Sequence, residues 1–284
     1  MDVYSIITER IIKGLEAGNI PWKKPWNGSG PRNFASGHEY SGINVMLLPG
    51  LCASIKQINE LGGSVKAGSK ANIAVFWKML PTIDKETGKA KNIPLLRYYN
   101  VFSLDQTNGL DVAEITKKYA GVSETPAERI AHCEEILHRK QPVIKQELST
   151  RAFYSPRADE ITLPALEQFH SSAGYYETAF HELIHWTGHK SRLDRIGADH
   201  MEKHSYSREE LVAEIGAAFL LNKAGIEPTE PENVQAYINS WIRFLKDAPR
   251  EIVTAAGKAQ KAARYITEDQ PAAVTDEVKE LVAA

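Results

Sequence analysis

His181-Glu182-Leu183-Ile184-His185 sets two imidazoles and one carboxylate at the spacing that a hydrolytic metal site requires. On an α-helix, residues i and i+4 lie one turn apart on the same face. Both rings can therefore reach a single divalent ion while Glu182 projects beside them toward a water held there. Average residue usage produces such a pentapeptide by chance in about one chain in a hundred of this length, so the surrounding sequence has to decide. It favours a helix: Tyr175, Phe180, Leu183 and Ile184 fall at helical intervals, Ser171 and Ser172 offer N-caps, and Gly188 offers a stop. The competing reading, two histidines that are merely solvated or satisfied in a core, leaves this convergence of signals unexplained.

A catalytic zinc ion takes three protein ligands and keeps one position for water. A third histidine three residues past Gly188 would complete a metzincin pattern, but that position holds Ser191. The run from Tyr206 to Leu220 reads as a second helix with alanine and glycine on one face, small enough to approach the metal helix closely. On it Glu210 and Glu214 are i, i+4 neighbours. The expectation is that Glu210 joins His181 and His185 as a ligand, while Glu214 hydrogen-bonds the distal nitrogen of one ligating histidine. Glu209 and Glu214 are the other carboxylates that this helix could offer as the ligand, and His189 is a weaker candidate. A wholly solvated acidic stripe fits poorly with the alanine and glycine neighbours.

With such a set, Zn2+ would lower the pKa of a coordinated water from about 15.7 toward about 7, and Glu182 would accept its proton as general base. Tyr175, Tyr176, Tyr206 and His189 are all near enough in sequence to stabilise an oxyanion, and spacing does not choose among them. Two histidines and one carboxylate also suit Mn2+ or another divalent ion.

The elements around this site are legible in outline. Arg151 to Ser155 and Glu160 to Pro164 read as two short strands about a Pro156-Arg157-Ala158-Asp159 turn, a ribbon whose edge could accept an extended peptide. Val234, Tyr237, Ile238, Trp241, Ile242 and Leu245 form the apolar face of a further helix, and an alanine-rich helix spans about 251 to 266. The 284 residues, 43% of them hydrophobic, suffice for two modest cores. Cys52 and Cys133 are the only cysteines, so the sequence offers neither a disulfide framework nor a cysteine-based zinc site. No run resembles a membrane span or a secretory signal, since residues 1–15 pattern as an amphipathic helix, and the expected location is the cytoplasm.

Charge divides the chain. Residues 1–120 carry 15 Lys and Arg against 10 Asp and Glu, whereas the remainder carries 19 against 26, with eight of the nine histidines. Thr125-Pro126-Ala127-Glu128 is a capping box with proline at the first helical position, so the expected boundary separates domains 1–122 and 123–284. The last 17 residues, from Glu268, are acidic and alanine-rich, with the composition of a fraying terminus. In the basic part, aromatics and cations interleave: Trp22, Lys23, Lys24 and Trp26, then Arg32, Asn33, Tyr40 and Asn44, with Lys56, Lys66 and Lys70 farther on and Lys78 beside Trp77 in an apparent strand from Ala74 to Leu80. Such a surface suits single-stranded nucleic acid, because every base can stack on a ring at about 1–3 kcal/mol while cations follow the phosphates. The plainer alternative makes Trp22 and Trp26 anchors of the first helix and the lysines ordinary solvated charges.

Taken together, these residues resemble the ArdC-type antirestriction proteins of conjugative plasmids over nearly the whole chain. In the first part the resemblance rests on Pro21 to Trp26, Tyr40 to Asn44, Leu61 to Gly68, Val75 to Lys78, and Tyr98 to Gln106; in the second, on His181 to His189, Arg192 to Arg195, Glu209 to Leu220, and Trp241 with the helix after it. It implies an α+β fold of two domains: a small α/β domain that binds single-stranded DNA, and a mostly helical zincin-like metallopeptidase domain with a short β-ribbon. Together they would protect entering plasmid DNA from host restriction, with a restriction enzyme or another host protein as the potential substrate and no membrane involved. An alanine three residues after the ligand again favours Glu210. One departure is Leu51-Cys52-Ala53-Ser54, where such proteins commonly carry an aromatic residue and a threonine. The alternative functions are a non-proteolytic protein that coats single-stranded DNA or blocks restriction, its metal site structural or vestigial, and an accessory module that only docks other proteins.

Overall fold

The computed structural model describes residues 2–23, 30–83, 90–120, 124–148, 150–197, 203–229 and 233–268, with only the backbone given for Met79, residues 90–92 and residues 203–206. It has a mixed α+β architecture. Helix α1 (Val3–Glu16) starts at Asp2, whose side chain accepts the Ser5 amide, and buries Ile7, Ile11 and Leu15, the i, i+4, i+8 stripe of an amphipathic helix. The short elements β1 (Arg32–Asn33), α2 (Ile43–Leu47), β2 (Leu51–Ala53), α3 (Ile55–Glu60) and β3 (Ser64–Val65) lead to a long hairpin, β4 (Asn72–Ile83) and β5 (Ala90–Ser103). Its antiparallel register runs from Asn72 opposite Val101 to Ile83 opposite Ala90. The sheet order is β1-β2-β5-β4, and β3 pairs separately with β6 (Thr107–Asn108). The hairpin extends beyond the strand expected from Ala74 to Leu80; Leu80, Pro81, Ile83, Ile93 and Pro94 are exposed, so the described residues of its outer part carry no inside–outside alternation to read.

After α4 (Val112–Tyr119), helix α5 (Pro126–His138) opens with the Thr125–Glu128 capping box and Pro126 in the first turn. A three-stranded sheet follows, in the order β7 (Val143–Glu147), β9 (Glu160–Pro164), β8 (Phe153–Ser155), with β7 parallel and β8 antiparallel to the central β9. The metal-motif helix α6 (Ser172–Thr187) is capped by Ser171 and ends at Gly188. Helix α7 (Lys203–Lys223) packs on it and on α9 (Glu251–Thr267), with α8 (Val234–Asp247) covering α1. Gly216 permits the close α6–α7 approach, since a Cβ there would lie 2.7 Å from Cδ1 of Ile184. On α9, Ala255, Ala256, Ala259, Ala262 and Ala263 are buried, so this helix too packs backbone-close.

One apolar cluster joins α1 to the helices of the second half. Ile7, Ile11, Leu15 and Trp22 belong to the same core as Leu183, Leu211, Trp241 and Ile252. Residues 121–123, where the sequence reading divides the chain, lie outside the described residues. Among the described residues, no helix is long and apolar enough to cross a membrane. Cys52 and Cys133 are buried free thiols, each pushed up to about 12 by burial.

Candidate metal centre

Helix α6 brings His181 and His185 to one face, and α7 crosses that face with Glu210. The two Nε2 atoms stand 3.1 Å apart, His185 Nε2 is 3.3 Å from Glu210 Oε1, and His181 Nε2 is 3.5 Å from Glu210 Oε2. Ligand atoms bound tetrahedrally at zinc's usual distance of about 2.1 Å would be about 3.4 Å apart. The observed edges therefore fit one small divalent ion held by His181, His185 and Glu210, all of whose ligand atoms lie within 4.8 Å of one another. Two imidazoles and one carboxylate form a donor set that suits several divalent metal ions. Glu182, 8% exposed, belongs to the buried face of α6 beside His185, where its charge acts on that ring.

The electrostatics follow from burial and charge. Burial alone would depress the pKa of His185, but Glu209, Glu210 and Glu182 outweigh it and raise the value from 6.5 to about 9. Burial acts the other way on Glu210, and the two imidazoles overcome it, holding this carboxyl far below the usual carboxylate range. Glu209 is also lowered, burial being opposed by His185 and Arg195.

Glu209, not Glu214, is the second carboxylate at the histidines. Its Oε1 lies 3.4 Å from His185 Nδ1, a nitrogen that is fully shielded from solvent and has no aligned hydrogen bond. Glu214 lies four residues farther along α7 than Glu210, about 6 Å down the axis, and there accepts the Tyr237 hydroxyl at 2.8 Å. His189 turns away from the cluster; its Nδ1 is 2.7 Å from Ser191 Oγ and 4.0 Å from Asp159. Among the residues proposed for an oxyanion, the hydroxyls of Tyr175 and Tyr176 engage Gln146 and Glu134, and the Tyr206 side chain lies outside the described residues.

Among the described residues, those expected to face nucleic acid separate into two groups. Trp22 is fully buried, donates its indole N–H to Tyr237 and meets Trp241 edge-on, so its ring cannot stack on a base. Lys23 is paired with Glu177 of α6 at 2.5 Å and bonds the Thr229 carbonyl, which leaves it no charge to spare for phosphate. Asn33 is buried and accepts the amides of Ala35 and Ser36, Tyr40 is 6% exposed, and Asn44 bonds both backbone groups of Val75, tying α2 to β4. Arg32 pairs with Glu39 and stacks on Tyr119. These six serve the fold. Lys56, Lys66 and Lys70 are exposed, although Lys66 also bonds the Asp105 carbonyl; Lys24 and Trp26 lie outside the described residues.

Sequence patterning alone does not reveal the face of the β4–β5 hairpin. Phe76, Lys78, Arg97 and Tyr99 share that face by strand alternation and register, with the Phe76 and Tyr99 rings 5.8 Å apart and Lys78 and Arg97 exposed. Trp77 and Tyr98 stand on the other face, 47% and 43% exposed. The Trp77-Lys78 pair is a readable signal; the partners on β5 need the register.

Comparison with known proteins finds matches in both parts of the chain. Residues 131–258 match the zincin-like metallopeptidase family, and residues 1–102 match the N-terminal domain of anti-restriction factor ArdC. Two Escherichia coli proteins named DNA primase TraC are 34% identical over 93% and 92% of this chain, which spans only 20% and 26% of their lengths. An uncharacterized protein, y4eC of Sinorhizobium fredii (strain NBRC 101917 / NGR234), is 28% identical over 98% of this chain and 95% of its own. The crystal structure of antirestriction protein ArdC from plasmid R388 superposes with a TM-score of 0.75 at 37% identity, covering 94% of this chain and 97% of that one in its metal-free form. Its Mn(II)-bound form gives 0.74 at the same identity, with 94% and 98% covered. With its matching N-terminal domain, its zincin-like domain and a shared fold along nearly its full length, this chain belongs to the ArdC antirestriction family.

Proposed function

We propose that this protein binds single-stranded DNA through its N-terminal half, to about residue 122, and carries a working metallopeptidase site in residues 123–284, protecting incoming plasmid DNA from host restriction in the cytoplasm during conjugation. The observation that carries the peptidase reading is the convergence of His181, His185 and Glu210 at tetrahedral edge lengths beside the buried carboxylate Glu182. His181, His185 and Glu210 would hold Zn2+ or Mn2+, and the Mn(II)-bound form of the R388 relative supports the second ion. A bound divalent ion supplies Lewis acidity toward the scissile carbonyl and acidifies water. Glu182 then takes the proton of the attacking water and delivers it to the departing amine nitrogen. Its burial keeps bulk water from competing for that transfer.

For DNA, the support lies in the hairpin face of Phe76, Lys78, Arg97 and Tyr99, which interleaves rings and cations as base stacking and phosphate tracking require. Lys56, Lys66 and Lys70 add exposed charge.

The deciding experiment compares wild type with Glu182→Ala for peptide cleavage, divalent-metal binding, single-stranded DNA binding and plasmid protection in a restricting host. Loss of cleavage and protection, with both binding activities kept, is expected, at about 100-fold or more in rate. Full protection by Glu182→Ala would instead establish the non-proteolytic reading, in which coating of DNA suffices.

A further inference from the structure

The turn after α6 folds back over the helix end and brings a cation to the metal site. Leu193 donates its amide to the Thr187 carbonyl, and Arg195 and Ile196 donate theirs to Gly188, both at 2.9 Å, while Asp194 adopts a left-handed conformation with φ of 48°. This closure directs the Arg195 guanidinium inward. Nη2 donates to the Ile184 carbonyl at 2.7 Å, and Nη1 donates to Thr187 Oγ1 at 2.8 Å. The same group grips Glu209 on α7 through Nη2–Oε1 at 2.7 Å and Nε–Oε2 at 3.2 Å. The side chains of Arg195 and Glu209 are only 6% and 7% exposed. A buried pair of this kind is costly to desolvate, and here every nitrogen of the guanidinium is satisfied, so the arrangement is rigid.

We infer that Arg195 and Glu209 are positioning residues for the metal ligand His185. Glu209 Oε1, which the guanidinium fixes, stands 3.4 Å from His185 Nδ1, the buried ring nitrogen that lacks an aligned partner. A carboxylate there selects the tautomer with hydrogen on Nδ1 and leaves the Nε2 lone pair facing His181 and Glu210. Arg195 makes this possible by tying α7 to the last turn of α6, so that ring and carboxylate move as one body. The stretch after the motif, which in a metzincin would contribute a third histidine, supplies the cation behind the ligand instead.

The inference rests on the metal site proposed above, and the two can fail separately. The test titrates the full chain with ZnCl2 and with MnCl2, each against a competing chelator, for wild type, Arg195→Ala and Glu209→Asp. Melting curves of the metal-free proteins verify folding, and 15N spectra of labelled histidine in the Zn2+-loaded proteins report whether His185 carries its hydrogen on Nδ1. Both variants are expected to bind metal about 10- to 100-fold more weakly and to lose the uniform Nδ1–H signature. Glu209→Asp retains the ion pair with Arg195 but draws the carboxylate back from the ring, so a merely structural pair would leave its affinity unchanged. Wild-type affinity in either folded variant overturns the inference, with Glu209→Asp deciding if Arg195→Ala does not fold. Failure of wild type to bind either ion overturns the metal site instead.

Discussion

At His185 a proton and a metal ion compete for one ring. The surrounding carboxylates raise its pKa from 6.5 to about 9. In the metal-free chain, a raised value means stability that is fully present below 6.5 and lost as pH rises through about 9. Glu209 and Glu210 are lowered from 4.5, so their contribution is present above that value and is lost as pH falls through their folded values. The metal-free melting temperature is therefore expected to be highest between 4.5 and 6.5 and to decline toward 9. Metal affinity runs the opposite way, rising about tenfold per pH unit up to the imidazole pKa as one proton is displaced. Melting in chelator and metal titration across this range check both; a melting temperature that stays level from 6.5 to 9 would refute the assignment. At this scale the sequence was informative where spacing alone fixes geometry, as for His181, Glu182 and His185. It was less so for the acidic helix, because the rotation of α7 against α6 decides whether Glu209 or Glu214 meets the ring. Arg195 could not be read at all from periodicity, since it reaches the site through an irregular turn.

Between elements, the site depends on how near α7 comes to α6. Gly216 sets that distance: an added Cβ would lie 2.7 and 2.8 Å from two atoms of Ile184. Replacing a helical glycine by alanine gains up to about 1 kcal/mol of helix propensity, whereas forcing one methyl into a packed contact costs about 1–3 kcal/mol. Gly216→Ala is thus expected to destabilise by up to about 2 kcal/mol and to weaken metal binding, since the helix that carries Glu210 must shift outward. Ile184→Ala alone is expected to cost about 2–5 kcal/mol, and in the double variant the two losses should fall short of their sum, a coupling that a chemical-denaturation double-mutant cycle measures. Additive effects would show that the clash is relieved elsewhere. The helices were legible because Ser171, Thr125 and Pro126 mark starts and the apolar stripes repeat. Strand β7 was not: four of its five residues are exposed, so no alternation marks it, and its parallel partner β9 lies well downstream.

For the molecule as a whole, Trp22 decides between two accounts of the basic first half. Read as a sequence, the Trp22-Lys23 segment belongs to a DNA-binding surface; in the fold it joins the N-terminal part to both metal-bearing helices. Lys23 pairs with Glu177, one turn before His181 on α6, and Trp22 reaches Glu214, one turn after Glu210 on α7, through the Tyr237 hydroxyl. Sequence patterning cannot separate these accounts, because an aromatic-cation run looks the same whether its partners are bases or a second half of the same chain. Trp22→Ala is expected to cost about 3–5 kcal/mol, the range for truncating a large buried aromatic. It should lower metal affinity along with stability, while the folded fraction binds single-stranded DNA as wild type does. Lys78→Ala combined with Arg97→Ala should do the reverse: melting temperature and metal affinity unchanged, DNA binding weakened, and the salt dependence of log affinity reduced by about 0.7 for each phosphate that is no longer neutralised. Fluorescence anisotropy with a labelled oligonucleotide at several salt concentrations, alongside melting curves, separates the two variants. Should Trp22→Ala lose DNA binding at unchanged stability, the indole would have to leave the core to meet a base, and the join between the two halves would itself be the DNA-responsive element.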